Sequence, residues 1–306
     1  MIVRSQDGTL IFCESFCADG SRGALLVVHG IGEHGGRYLE LVKQARRLKL
    51  DVHILDLRGH GRSQGIRGHF ESLEQLHQDM DAWIDHLVAN GSLKANLPCF
   101  LLGHSLGGLI ALTYLPRYVR QPLYPEFSGV CLSAPALGLR WSPLRDLERT
   151  LALGLPKFLR SIHVPTGLSA EDLSHDPEEV MKYNEDPLVH GWITPAAFLA
   201  IQEGIQSLPK LVSRLGGQPM LFLLSGKDRV VDTAAAEAFA KKVQVAHPGK
   251  VEVRVFHTFF HEPFHETKRE RAFLELKKWM LRCLTPSKKS SSRSSASGAT
   301  AKATLH

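Results

Sequence analysis

The stretch Leu101-Leu102-Gly103-His104-Ser105-Leu106-Gly107-Gly108 constrains this chain more than any other. An apolar run breaks there into G-x-S-x-G, and a helical pattern resumes directly behind it. A serine on so sharp a strand-to-helix corner presents its hydroxyl above the edge of a sheet, and the flanking glycines supply the bare backbone that the bend needs. The pentapeptide alone proves little, so its context has to carry the reading. Cys99 to Leu102 is apolar and strand-like behind Pro98, while Leu109, Ile110, Leu112, Thr113 and Leu115 open a helix. That context favours a nucleophilic serine over a structural one in an ordinary strand-turn-helix.

On the N-terminal side, Thr9 to Phe16 and Ala24 to Val28 are β-rich runs separated by Asp19-Gly20-Ser21-Arg22-Gly23, which reads as a hairpin connection. The second run ends in His29-Gly30-Ile31-Gly32-Glu33-His34-Gly35-Gly36. Tyr38, Leu39, Leu41, Val42, Ala45 and Leu48 then give a helical stripe. Val52 to Leu55 is the next strand, and Leu73, Leu76, Met80, Trp83, Ile84 and Leu87 trace one helix face at spacings of three and four. With the elements around Ser105 and a strand at Val130 to Leu132, this alternation predicts an α/β fold, a mostly parallel central sheet with helices on both faces.

From Ala136 to Gly217 the alternation stops. Trp141, Leu144, Leu147, Leu151, Leu153, Leu155, Phe158, Leu159 and Ile162 make this region too apolar for a simple loop. It reads as a helical cap inserted between two strands of the sheet, the alternative being an ordinary helical layer of the core. Pro219 to Leu224 resumes the alternation, followed by a helix over Thr233 to Val243 and the strand Val251 to Phe256. A last amphipathic helix carries Phe273, Leu276, Trp279 and Met280. The expected organisation is therefore a core in two parts, 1–135 and 218–284, a cap over 136–217, and a tail over 285–306.

Composition narrows the function classes. With 306 residues and 43% hydrophobic content the chain can bury one substantial core. It contains no apolar stretch long enough to span a bilayer, and MIVRSQDG lacks the apolar run of a signal peptide. A soluble, cytoplasmic protein is expected. Cys13, Cys17, Cys99, Cys131 and Cys283 form no even framework, which suggests reduced thiols. The net charge of +6 is concentrated in the Ser-rich tail, where Lys288, Lys289, Arg293 and Lys302 have no acidic neighbour. Such a tail cannot pack a core, so disorder is its default expectation, and a nucleic-acid partner is not expected for the folded part.

A serine hydroxyl needs a histidine base and a carboxylate to orient that base. In a parallel sheet these groups belong at the carboxyl ends of strands. Asp228 lies just past the Pro219 to Leu224 strand, whereas its rival Asp232 precedes Thr233 and an alanine run and looks like a helix N-cap. For the base, the candidates after the final strand are His257, His261 and His265. His261 sits in the loop before Pro263, which suits a first helical position, with His265 then inside the last helix. His261-Glu262-Pro263-Phe264-His265 also satisfies H-E-x-x-H, but zinc ligation needs both histidines on one face of a continuous helix. A helix beginning at Pro263 leaves His261 outside it, so no metal is expected. The two oxyanion donors would be the amides of Ile31 and Leu106. The plain alternative for 29–32 is a glycine turn or a phosphate-cradling loop.

Six motifs in order, HGIGEHGGRY (29–38), DLRGHGRSQGIRG (56–68), GHSLGG (103–108), NEDPLVHG (184–191), SGKDRVVD (225–232) and FFHE (259–262), give the chain its resemblance to a known group. It resembles the monoacylglycerol lipase and lysophospholipase branch of the α/β-hydrolases over most of its first 284 residues. The resemblance implies an α/β-hydrolase fold with a lid, Ser105 as nucleophile, Asp228 as acid and His261 as base, Ile31 and Leu106 as oxyanion-hole amides, and no cofactor. It also implies that Glu33 and Arg37 help hold the polar head of a small lipid ester. Phe264 departs from the family pattern, which can place a further histidine there. The expected activity is hydrolysis of monoacylglycerol-type esters, with a lysophospholipase or broad carboxylesterase as the runner-up. A non-catalytic ligand- or membrane-binding relative, touching a membrane surface through the cap, is the remaining class.

Overall fold

In the computed structural model, residues 1–118, 124–140, 154–156, 159–215 and 217–284 are described. Six strands run parallel: β3 (Ala24–Val28), β4 (Asp51–Leu55), β5 (Cys99–His104), β6 (Phe127–Ser133), β9 (Met220–Ser225) and β10 (Val251–Phe256). With the antiparallel β1 (Ile2–Arg4) and β2 (Leu10–Phe16), they form a sheet in the order β1-β2-β4-β3-β5-β6-β9-β10. β3, β5 and β9 are buried along their whole length, as strands covered on both faces must be.

Side-chain alternation splits the core in two. Leu26 and Val28 face α2 (Leu73–Ala89) and α3 (Leu106–Tyr118), while Leu25 and Val27 face α1 (Leu39–Arg47) and α7 (Glu270–Leu284). The α2 stripe is buried as its spacing predicts, at Leu76, Met80, Trp83, Ile84 and Leu87, and α7 buries Phe273, Leu276, Trp279 and Met280. α6 (Thr233–Ala246) joins the first face through Ala236, Phe239, Ala240 and Val243.

Three local expectations are corrected. The Thr9 to Phe16 and Ala24 to Val28 runs are not a hairpin: β4 lies between them, antiparallel to β2 and parallel to β3. The reason is burial, because β3 is apolar on both faces and takes an interior place, leaving the half-exposed β2 towards the edge beside β1. Leu39 is 49% exposed at the first position of α1, outside the buried stripe of Leu41, Val42 and Ala45. The last helix begins at Glu270, so Pro263 and His265 lie in the turns ahead of it.

Between β6 and β9 the described residues hold a two-stranded ribbon, β7 (Val164–Pro165) with β8 (Trp192–Ile193), and the helices α4 (Pro177–Glu185) and α5 (Pro195–Leu211). Both helices start on a capped proline: Asp176 accepts from Glu178 N, and Thr194 from Ala197 N. α5 packs into the core through Ala197, Ala200, Ile201 and Leu208, so this part of the insertion belongs to the helical layer over the sheet. Trp141, Leu144, Leu147, Leu151, Leu153 and Phe158 of the apolar cluster lie outside the described residues, as does the tail from 285. Among the described residues, no helix is long and apolar enough to cross a membrane.

Candidate active site

Ser105 stands between the end of β5 and the start of α3 with φ of 51°, in the left-handed region that costs a residue with a Cβ about 1 kcal/mol or more. The corner is held by backbone hydrogen bonds: Ser105 N donates to Ser133 O at 3.0 Å, and Gly108 N and Ala136 N each donate to Ser105 O at 3.0 Å. A Cβ on Gly103 would lie 2.3 Å from Gly107 O, and one on Gly107 would lie 2.1 Å from Val28 O. Both glycines of the motif are therefore required by close backbone approach, as the sequence pattern implies.

The ends of β9 and β10 bring the other two groups. Asp228 fixes one carboxylate oxygen by accepting from Val230 N at 2.8 Å and Val231 N at 2.9 Å, and turns the other to His261 Nδ1 at 2.8 Å. His261 Nε2 lies 2.8 Å from Ser105 Oγ. An Nδ1–H donated to the carboxylate leaves Nε2 as the acceptor of the serine proton. Asp232 instead caps α6, accepting from Ala234 N at 2.9 Å and Ala235 N at 3.3 Å. His257 is exposed at the end of β10, and His265 points elsewhere.

Burial and charge set the electrostatics of this row. Burial alone would lower the His261 pKa, but the Asp228 carboxylate, followed by Glu262 and Glu33, holds it above the ordinary 6.5. Burial would raise the Asp228 pKa, yet His261 and the Val230 and Val231 amides hold it below 3.8. His104, whose ring lies 5.0 Å from that of His261, is pushed down to about 4 by burial and by His261 itself, so it is neutral.

A cavity of only about 10 Å³ opens on Ser105, room for roughly one water. It is floored by Gly30, Ile31, Ser105 and His261 and roofed by Leu168, Leu173 and Tyr183 of the inserted segment. Ile31 lies in the loop after β3, and Leu106 is the first residue of α3, where a backbone N–H has no intrahelical acceptor. A Cβ on Gly30 would lie 3.2 Å from the Ser105 Cβ, so the β3 loop passes directly beside the serine.

Glu33 and Arg37, expected to hold a substrate head, are engaged with the protein itself. Arg37 donates to Glu33 Oε2 at 2.8 Å and, through both terminal nitrogens, to Glu262 at 2.6 and 2.7 Å. Glu33 Oε1 accepts from Gly30 N at 2.7 Å and Tyr38 OH at 2.8 Å. Burying these charges demands partners, and each has found its partner inside the fold. Glu262 is the residue that motif reasoning passed over, although it stands next to His261 in FFHE. The H-E-x-x-H pattern places no shared metal site, because His261 serves Ser105 and Asp228 while His265 faces Glu262 and the Arg37 carbonyl. Phe264 is buried against Phe273.

Comparison with known proteins adds to this geometry. The family model described as serine aminopeptidase, S33 matches residues 19–268. The monoacylglycerol lipase of Mycolicibacterium smegmatis is 31% identical over 261 residues, covering 85% of this chain and 88% of that protein. The phospholipase YtpA of Bacillus subtilis is 29% identical over 256 residues, covering 84% of this chain and 94% of that protein. Among solved structures, the monoacylglycerol lipase of Paleococcus ferrophilus matches with a TM-score of 0.77 at 27% identity, covering 89% of this chain and 99% of that one. The chain belongs to the serine aminopeptidase S33 family of α/β-hydrolases, in the branch that holds the monoacylglycerol lipases.

Proposed function

We propose that this carboxylic ester hydrolase cleaves the acyl ester of monoacylglycerol-type lipids through a Ser–His–Asp acyl-enzyme mechanism. The observation that carries the reading is the buried row Ser105 Oγ, His261 and Asp228, joined by two contacts of 2.8 Å at the carboxyl edge of the sheet. Ser105 attacks the ester carbonyl as His261 Nε2 takes its proton, and Asp228 stabilises the imidazolium that results. The Ile31 and Leu106 amides receive the oxyanion. His261 then protonates the leaving alcohol, and a water activated by the same ring releases the acid.

The substrate class rests on the relatives' names and on the apolar roof of Leu168 and Leu173. A small lipid ester would have to displace that roof. Leu159, Ile162, Val164, Met181 and Trp192 of the same segment are exposed, and contact with a membrane surface through them is part of the proposal. No cofactor enters any step. The Bacillus relative named as a phospholipase keeps lysophospholipid hydrolysis as the second reading.

A hydrolysis panel of monoacylglycerols, lysophospholipids and short p-nitrophenyl esters tests the proposal. Preference for monoacylglycerols with long chains is expected, and preference for acetate or butyrate esters would overturn the lipid assignment. A fluorophosphonate probe should label wild type and leave Ser105→Ala unlabelled. Equal labelling of the two would remove Ser105 as the nucleophile, and vesicle binding without any esterase activity would favour the non-catalytic reading.

A further inference from the structure

Arg37 touches both of the loops that flank Ser105. Its Nη1 donates to Glu33 Oε2 at 2.8 Å and to Glu262 Oε1 at 2.6 Å, and its Nη2 donates to Glu262 Oε2 at 2.7 Å. Glu33 in turn accepts from Gly30 N at 2.7 Å, one residue ahead of Ile31. Glu262 directly follows His261 in the chain. A continuous path thus runs from the β3 loop through Glu33, Arg37 and Glu262 to the base, joining residues 225 apart in sequence.

The path is closed on its far side by His265. His265 Nδ1 faces Glu262 Oε2 at 3.1 Å, and its Nε2 faces the Arg37 carbonyl at 2.9 Å. Both contacts favour the protonated ring, whose pKa the Glu262 carboxylate holds above 6.5 against burial. The side chains of Arg37, Glu33 and Glu262 are 8%, 3% and 4% exposed. Apolar residues of similar volume would serve stability at least as well as buried charges. What apolar residues cannot do is fix one loop against another by a planar, bidentate contact.

We propose that Arg37, with Glu33 and Glu262, is a positioning clamp that sets the oxyanion loop at Gly30 and Ile31 against the imidazole of His261. The inference rests on the catalytic reading of Ser105, Asp228 and His261. The clamp holds the two loops in register so that the developing oxyanion and the transferring proton meet donors and acceptor already in place. It acts on the base electrically as well. His261 is faced by Asp228 from the turn after β9, Glu262 from its own loop, Glu33 from the β3 loop and neutral His104 from β5. The insertion contributes Asp172, whose carboxylate is taken up by Arg229. Glu262 is, after Asp228, the next group that favours the imidazolium.

The test is steady-state kinetics on p-nitrophenyl octanoate with Glu262→Gln, Arg37→Met and the double variant. Glu262→Gln, nearly isosteric, should lower kcat by about tenfold with KM within about twofold, as loss of a contact that matters in the transition state does. It should also move the acid limb of kcat/KM to lower pH. Arg37→Met should lower kcat similarly, and the double variant should fall no further than the worse single one, since both break the same clamp. Arg37→Lys, which keeps the charge and loses the bidentate fork, should recover only part of kcat. A folded Glu262→Gln with kcat and acid limb both unchanged overturns the clamp, and so do losses that multiply in the double variant. If Arg37→Met does not fold, Glu262→Gln decides alone. The underlying reading fails differently: wild type would then neither turn over the ester nor take up a fluorophosphonate at Ser105.

Discussion

The amide of Glu262 donates to the carbonyl of Leu173 at 2.9 Å, tying the loop that carries His261 to the segment that roofs Ser105. Ser174 Oγ to the His265 carbonyl at 2.8 Å, His175 to Glu266 at 2.8 Å and Arg269 to Asp176 at 2.9 Å extend the same seam. The Leu173 end of the roof is therefore anchored to the base loop, and a space of about 10 Å³ must widen before an acyl chain can enter.

Thinning that roof should speed access. Leu168 lines the cavity and is only partly buried, so Leu168→Ala removes a barrier without emptying the core. The rate of fluorophosphonate labelling at Ser105 should rise by roughly threefold if roof opening limits it. An unchanged rate in a folded variant would show that the roof does not gate the serine.

The two acidic residues near β9 should separate cleanly. Asp228→Asn keeps the shape of the side chain but lets His261 adopt the wrong tautomer, and kcat should fall by about 10³- to 10⁴-fold. Retention of more than a tenth of wild-type kcat would exclude Asp228 as the orienting acid.

Asp232→Ala should behave in the opposite way. It deprives α6 of the two amide contacts of its N-cap and should cost about 1 kcal/mol of stability, read by urea unfolding, with kcat unaltered. A large loss of activity there, with stability intact, would reverse the assignment of the two aspartates.

The pH dependence has a definite sign. As the proposed base, His261 must be uncharged to accept the Ser105 proton, and its pKa stands above 6.5 because Asp228 outweighs burial. Activity, read as kcat/KM, should therefore fall with acid through a step centred above 6.5, and in the residual activity of Asp228→Asn that step should move down. Stability follows the linked rule. The raised His261 pKa contributes stability below the unfolded value that is lost as pH rises through the native one. The lowered Asp228 pKa contributes stability above its unfolded value that is lost as pH falls. A flat kcat/KM between about pH 6 and 8 would contradict the assignment of His261 as base.

Local chemistry was readable in the chain wherever one short segment contains its own cause. The glycines of 103–107, the stripe of α2, the burial of Phe273, Leu276, Trp279 and Met280 on α7 and the N-cap at Asp232 each follow from spacing or from a backbone amide a few residues away. Chain order and strand ends likewise singled out Ser105, Asp228 and His261 as the residues to be brought together. Tertiary structure decided what depends on partners distant in sequence. β4 separates β2 from β3, because sheet order is chosen by which strand is apolar on both faces after all have packed. α5 joins the helical layer through a face that meets α3 and α2, as at Gly204 against Leu109 and Leu73. Glu33 and Arg37 read from the family resemblance as groups that hold a substrate's polar head, and their pairing with Glu262, more than 200 residues on, shows only once the chain has folded. A buried charge takes its meaning from its counter-charge, and no rule of local spacing supplies that partner.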